Sequence, residues 1–447
     1  MDKTSCTSGD RGNISRRGFL RVGSLAPLGI GLSQYLRASR ALAAKGTPLK
    51  GKAQACILLW LEGGPSQMDT WDPKGNSTLK RIATRVPGIQ ISELFPRIAR
   101  QMNKLSVIRS VHTEENNHPQ GTYNTLTGHR PIAAMKFPSL GSIICKETGP
   151  RNELPQYALV PQPSEVDFFT YADAYNAAFI GANYNPMIVP DPSQPDFHIP
   201  DLRLPKTVTA DTIEHRQSFL KVVDRLYREK EEQAEFDTMD ALSRQALGML
   251  LSPKVEKAFD LSKEPDKLRE AYGRNRVGQS VLLARRLIES GCRFVSASGY
   301  RHGQWDTHGK NEETLRKDLA PLLDQTLPVL LEDLEARGLL QSTVVLVMGE
   351  FGRTPTINPQ LGRDHWPDCW SLLIGGGGIE GGHVIGASDK RAAYVADRMV
   401  SMGDLFATIY KAFGIDWTKT YMTPIGRPIY IANALGDKQG EPIKELV

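Results

Sequence analysis

Seven consecutive apolar residues, Ala55-Cys56-Ile57-Leu58-Leu59-Trp60-Leu61, stop abruptly at Glu62-Gly63-Gly64-Pro65. A strand that is apolar at every position, not every second one, must be covered on both faces, as the central strands of a parallel sheet are. The pattern returns twice behind a helix. Arg276–Ser290 places Leu, Val, Ile and Ala along one face, Gly291 stops it, and strand-like Arg293–Ala297 follows. Glu312–Arg337 reads as a long amphipathic helix ending at Gly338, and the apolar run Thr343–Met348 comes next. A further helical stretch near Glu93–Lys104 leads into Leu105-Ser106-Val107-Ile108. Helix, glycine and apolar strand in repetition predict an α/β fold, with a mostly parallel central sheet and helices on both faces.

Two stretches break this rhythm. Residues 150–210 are rich in Pro, Tyr, Asn and Asp without a period. Residues 216–270 carry dense Glu, Lys and Arg at helical spacing, which is the usual mark of a solvated helical face. Together they are expected to form a loop-rich and helical insertion, about 150–270, over the site.

The N-terminus has its own grammar. Ser15-Arg16-Arg17-Gly18-Phe19-Leu20-Arg21 precedes a mildly apolar stretch, Val22 to Leu36, then Arg37, Arg40 and the small-x-small site Ala41-Leu42-Ala43. This is the order of a twin-arginine export signal. The apolar stretch is too short and too rich in Gly and Ser to be a stable membrane span. Residues 1–43 are therefore expected to be a signal peptide read by a twin-arginine translocon. The mature domain is 44–447, working in the periplasm or outside the cell. Residues 1–43 hold seven basic and two acidic residues, which is the whole net charge of +5. The mature chain is thus neutral, which argues against a nucleic-acid partner. No other apolar run has membrane length, so no integral span is expected.

Cys6 leaves with the signal, and Cys56, Cys145, Cys292 and Cys369 are scattered without a C-x-x-C pair. Cys56 and Cys292 stand in apolar runs and read as small buried hydrophobes, although an exported chain leaves room for one disulfide.

Chemistry-bearing residues gather just beyond the apolar strands, where open α/β sheets bind ligands. Glu62 follows the first strand, and the glycines after it let a metal or an anion approach; an ordinary Gly-Pro turn would look similar. Asn116-Asn117-His118-Pro119-Gln120-Gly121-Thr122 puts His118, with Thr122 behind it, at a helix N-terminus that favours anions. In His302-Gly303-Gln304-Trp305-Asp306-Thr307-His308, Asp306 and His308 can reach one cation, with His302 to join or orient them. Glu350 leaves the strand Thr343–Met348 as Glu62 leaves the first, Arg353 can hold an anion bidentately, and Arg363-Asp364-His365-Trp366 adds His365.

At these residues the chain resembles a known family. The strand-end carboxylate, Leu126-Thr127-Gly128, Trp305-Asp306-Thr307-His308, Gly349-Glu350-Phe351-Gly352-Arg353-Thr354-Pro355 and Arg363-Asp364-His365-Trp366 are similar to the twin-arginine-exported, sulfatase-like family catalogued as domain of unknown function 1501. The resemblance spans the mature chain and implies an alkaline phosphatase-like fold. It also implies one or two divalent metals (zinc, calcium or manganese) and transfer of phosphoryl or sulfuryl groups. On that resemblance Asp306, His308 and His365 form a complete metal site, while Glu62, His118 and Glu350 correspond to a second, altered one. His118 stands where sulfatases carry the residue converted to formylglycine, Thr122 where they carry Arg, and Phe351 where a metal-binding imidazole is expected.

Two readings follow. In one, the protein is a metal-dependent hydrolase of phosphate or sulfate esters without formylglycine, acting on a small molecule or a polysaccharide ester. His118 then serves as nucleophile or base and Arg353 offsets charge in the transition state. In the other, the replaced nucleophile marks an extracytoplasmic binding or structural module that kept the fold.

Overall fold

The computed structural model describes residues 51–75, 77–161, 172–199, 246, 248–300 and 303–447. The expected signal peptide, most of the expected insertion, and His302 lie outside the described residues.

The first apolar run forms β1 (Ala55–Trp60), buried along its whole length. It lies at the centre of an eight-stranded sheet. The other strands are β2 (Ser106–Val111), β3 (Tyr157–Val160), β4 (Met187–Ile188), β5 (Phe294–Ala297), β6 (Thr343–Met348), β9 (Trp370–Gly376) and β10 (Val384–Ile385). Between β6 and β9 stands a two-stranded ribbon of β7 (Gly352–Arg353) and β8 (His365–Trp366). The sheet order is β10-β2-β9-β6-β1-β5-β3-β4. β1 runs parallel to β5 and β6, and β3 parallel to β4 and β5. Only β9 runs against its neighbours, β2 and β6.

Alternate residues of the strands feed two cores. Ile57, Leu59, Val295, Val345 and Val347 pack on α3 (Arg276–Ser290) and α4 (Ala320–Ala336). Cys56, Leu58, Trp60, Leu346 and Met348 pack with α1 (His118–Thr127), α2 (Leu140–Thr148) and α5 (Met402–Phe413) on the other face. Strands apolar at every position are the direct consequence of helices on both sides.

α3 has the expected bounds: Asn275 caps it through Gly278 N–H, and Gly291 ends it in the left-handed region at φ 119. The expected helix Glu312–Arg337 is broken instead into Asn311–Thr314, a π turn at Leu315–Leu319, and α4. Pro321 has no N–H to return to the carbonyl four residues earlier, and the ladder widens just before it.

The middle of the chain differs from the expectation. Tyr157–Val160 and Met187–Ile188, placed by the sequence in an insertion, are strands of the central sheet itself. Glu264, expected on a solvated face, is buried and accepts from Arg285 at 2.8 Å and from Arg286. The described cysteines Cys56, Cys145, Cys292 and Cys369 are all buried and free, and burial pushes the Cys292 thiol up to about 12. Among the described residues no helix is long and apolar enough to cross a membrane.

Candidate metal centre

Because β9 is antiparallel, its beginning meets the same sheet edge as the ends of β1, β2, β5 and β6. β8 delivers His365 to that edge just before β9. The β2–α1 loop delivers His118, the loop after β5 delivers Asp306 and His308, and β6 ends at Glu350.

His118 is the first residue of α1, follows Asn117 at the N-cap position, and is 2 % exposed. Its Nδ1 lies 2.6 Å from Glu350 Oε1, and its Nε2 lies 3.3 Å from Asp306 Oδ2. His365 places Nδ1 2.6 Å from the carbonyl of Asn116, and His308 places Nδ1 2.8 Å from Asp364 Oδ1. Carbonyls and carboxylates only accept, so in the neutral rings each Nδ1 carries the proton and each Nε2 is left with its lone pair. Those lone pairs converge. The Nε2 atoms of His308 and His365 are 3.0 Å apart, and they lie 3.1 and 3.2 Å from Asp306 Oδ1. His118, Asp306 and His365 likewise offer ligand atoms within 4.8 Å of one another.

Acceptor atoms brought this close repel unless positive charge sits among them. Nitrogen and oxygen atoms on a tetrahedral ion at about 2.0–2.1 Å stand about 3.3 Å from each other. The donor set therefore fits a divalent cation in number, type and spacing. With side-chain partners alone, burial disfavours protonated His118, but hydrogen bonds to Asp306 and Glu350 outweigh burial and raise it to about 9. Burial opposes ionised Asp306 too, yet His118, His365 and the Arg353 guanidinium hold it well below the usual carboxylate range.

Backbone fit sets the pocket. A Cβ on Gly63 (φ 114) would stand 2.3 Å from the Asp306 nitrogen, so the loops after β1 and β5 approach as only glycine allows. Gly63 N–H in turn donates to Glu350 Oε1 at 2.9 Å. Phe351 packs beneath the imidazoles, with ring centroids 5.0 Å from His118 and 4.6 Å from His365. Buried Asp69 holds the loop before His365 through Arg363, with Nε–Oδ2 at 2.7 Å and Nη2–Oδ1 at 3.3 Å.

The structure brings Asp306, His308 and His365 to one point, with His118 beside them. Glu350 lies behind His118, and its oxygens accept from His118 and Gly63. The Glu62 carboxylate is buried and accepts Gly303 N–H at 3.1 Å. Thr122 is buried in the second turn of α1. Arg353 departs from the expectation of an anion holder. It is fully buried, and its guanidinium donates to the carbonyls of Gly63, Gly64 and Arg363 and to Asp306 Oδ1 at 2.5 Å. Its donors face the protein interior, where they fix Asp306. Asp364 and the Asn116 carbonyl had no role assigned from sequence. Asp364 stands beside His365 in the chain but pairs with His308, and residue spacing carries no sign of that crossing.

A family model described as "Protein of unknown function (DUF1501)" matches residues 53–447. No curated protein matches the chain. Among solved structures it is similar to the PsFucS1 sulfatase from Pseudoalteromonas sp., at 13% identity and TM-score 0.39, covering 82% of this chain and 69% of that one. It is similar to the lipoteichoic acid synthase LtaP from Listeria monocytogenes at 10% identity and TM-score 0.37, covering 81% and 72%. The alkaline phosphatase from the Antarctic bacterium TAB5 matches at 12% identity and TM-score 0.35, over 76% and 96%.

Proposed function

We propose that this chain, which belongs to the family described as Protein of unknown function (DUF1501), is an exported metal-dependent hydrolase of phosphate or sulfate esters. One observation carries the reading: imidazole Nε2 atoms with their Nδ1 partners already fixed converge on the Asp306 carboxylate. His308, His365, Asp306 and His118 would hold one divalent cation, and zinc suits a set of three imidazoles and a carboxylate best. A cation bound there supplies a Lewis acid for the ester oxygen and lowers the pKa of water toward ~7.

The chain's own residues do the rest. Asp364, Glu350 and the Asn116 carbonyl keep the three rings in one tautomer and one orientation. Arg353 holds Asp306 ionised and in place. Phe351 and the buried walls exclude water from the back of the site. His118 is enclosed between two carboxylates, which supports a ligand role over the nucleophile role. With His118 at the position in question, no formylglycine is formed there.

The test is metal analysis of the exported protein together with an aryl phosphate and aryl sulfate screen. The expected result is about one tightly held divalent ion per chain and hydrolysis that a chelator abolishes. Metal retained without turnover of either ester favours the binding-module reading, which rests on the enclosed His118.

A further inference from the structure

Three imidazoles and one carboxylate fill every place around a tetrahedral ion, as in a structural zinc site, whereas a catalytic site keeps one place for water or substrate. On the hydrolase reading above, one of the four side chains must therefore give way, and the structure does not hold them equally. The His118 side chain is 2% exposed, and its Nδ1 lies on Glu350, which is itself fully buried. Asp306 is 14% exposed and is gripped by the buried Arg353 guanidinium. His365 is 21% exposed. The Asn116 carbonyl holds its Nδ1, and its ring packs on those of His118 and Phe351, with centroids 4.3 and 4.6 Å away.

His308 is the exception. Its side chain is 45% exposed, and the Asp364 carboxylate that accepts from its Nδ1 is 55% exposed. A contact this open to water, where solvent competes for both partners, holds weakly. Its backbone, by contrast, is pinned. Asn358 Nδ2 donates to the His308 carbonyl at 2.9 Å, and on either side Arg363 N–H donates to the Thr307 carbonyl and Lys310 N–H to the Gln360 carbonyl, each at 3.0 Å. Gly362 approaches so closely that a Cβ on it would stand 2.0 Å from the His308 carbonyl. A fixed backbone beneath an exposed side chain leaves one soft motion, rotation of the ring about its own side-chain bonds. Buried His118, Glu350 and Phe351 close the cluster from behind, so solvent reaches it on the His308 side.

We infer that His308 is the exchangeable ligand of this centre: its ring turns out toward water when an oxyanion enters and returns when the oxyanion leaves, while His118, His365 and Asp306 stay in place. The ring already carries its proton on Nδ1, so it leaves as neutral imidazole. Nε2 then meets water, and no proton has to move. Asp364 is the catch that favours the ring's return, and its own exposure keeps the catch light. The role rests on the hydrolase reading of the centre and adds to it the side from which an ester arrives.

The test reads the ligands directly, without turnover. The full mature chain, isotope-labelled at histidine and loaded with zinc, is titrated with sodium phosphate and followed by nitrogen NMR of the imidazoles. His308→Ala, at an exposed side chain, identifies the His308 signal. Three metal-held Nε2 signals are expected without phosphate, and with it the His308 signal alone should move to its free position. Competition with a chromophoric chelator is the second measurement. His308→Ala is expected to weaken zinc binding at least about tenfold less than His365→Ala, with circular dichroism unchanged in both. Three signals that stay in place in phosphate, as expansion to five ligands would give, overturn the inference. So do a His308 signal that is free from the start and equal losses of affinity in the two variants. A chain that holds no zinc is a different result: it refutes the metal-dependent reading itself, and the role of His308 falls with it.

Discussion

Each imidazole at the metal centre has one nitrogen committed to an acceptor outside the cluster, and that commitment decides what the other nitrogen can do. Glu350 is the most enclosed of these partners, fully buried, with Gly63 N–H and His118 Nδ1–H both donating to it. In Glu350→Gln an amide replaces a carboxylate of nearly equal volume. Its NH2 group either faces His118 Nδ1, and forces the proton to Nε2, or opposes Gly63 N–H. Metal affinity is expected to fall 10–100-fold, as losses of such supporting partners do. Competition with a chromophoric chelator measures it, with circular dichroism unchanged. Unaltered affinity would remove His118 from the ligand set. Arg353 teaches the opposite lesson: an arginine beside a candidate active site reads as an anion holder, and here three backbone carbonyls and Asp306 enclose it.

At the scale of elements, α3 and α4 are joined by a buried ionic network as well as by apolar packing. Arg285 is fully buried and meets Glu264 at 2.8 Å, Asp333 at 2.8 Å and Glu289 at 2.5 Å. Arg286 and Arg337 share those carboxylates. Arg285→Leu leaves Glu264 and Asp333 with one cation fewer in a nearly dry place, and a cost of about 3 kcal/mol is expected. Urea unfolding should show it as a lower midpoint, with metal content unchanged. The charged pattern of residues 216–270 suggested solvated helices because charge in sequence is a surface signal on average. The described helices Pro253–Phe259 and Asp266–Tyr272 instead flank Glu264, which the arginines of α3 draw inward.

For the whole molecule, one contribution to the pH dependence of stability comes from His129, which is buried and stacked on Phe137. Burial holds His129 at about 4, against about 6.5 in an unfolded chain. Between those values the unfolded state binds more protons, so stability is full above about 6.5 and falls as pH drops toward 4. From pH 7 to pH 4.5 the loss from this residue should be about 2–3 kcal/mol. Urea unfolding at the two values, compared with His129→Gln, isolates it: the variant should show the smaller pH dependence, and equal slopes would refute the assignment. Export is tested on the complete chain. Arg16→Lys with Arg17→Lys is expected to stop it, and sequencing of exported protein should find an N-terminus near Ala44. Normal export of the double variant would end the twin-arginine reading.

Local chemistry made the elements legible. Apolar runs declared β1, β5 and β6, Gly291 closed α3, and the strand ends marked where Glu62, His118, Asp306 and Glu350 would stand. These signals depend on period and on turn residues, which need no knowledge of partners. What tertiary structure decided was convergence. His365 meets His308, 57 residues earlier, because β9 runs antiparallel and starts at the edge where its neighbours end. Tyr157–Val160 is a strand because β5 offers it hydrogen bonds, although Pro-rich and Asn-rich sequence surrounds it. Strand order and direction, the pairing of Asp364 with His308, and the enclosure of Arg353 arise from contacts between distant segments. Their energies appear only once the sheet has closed around them.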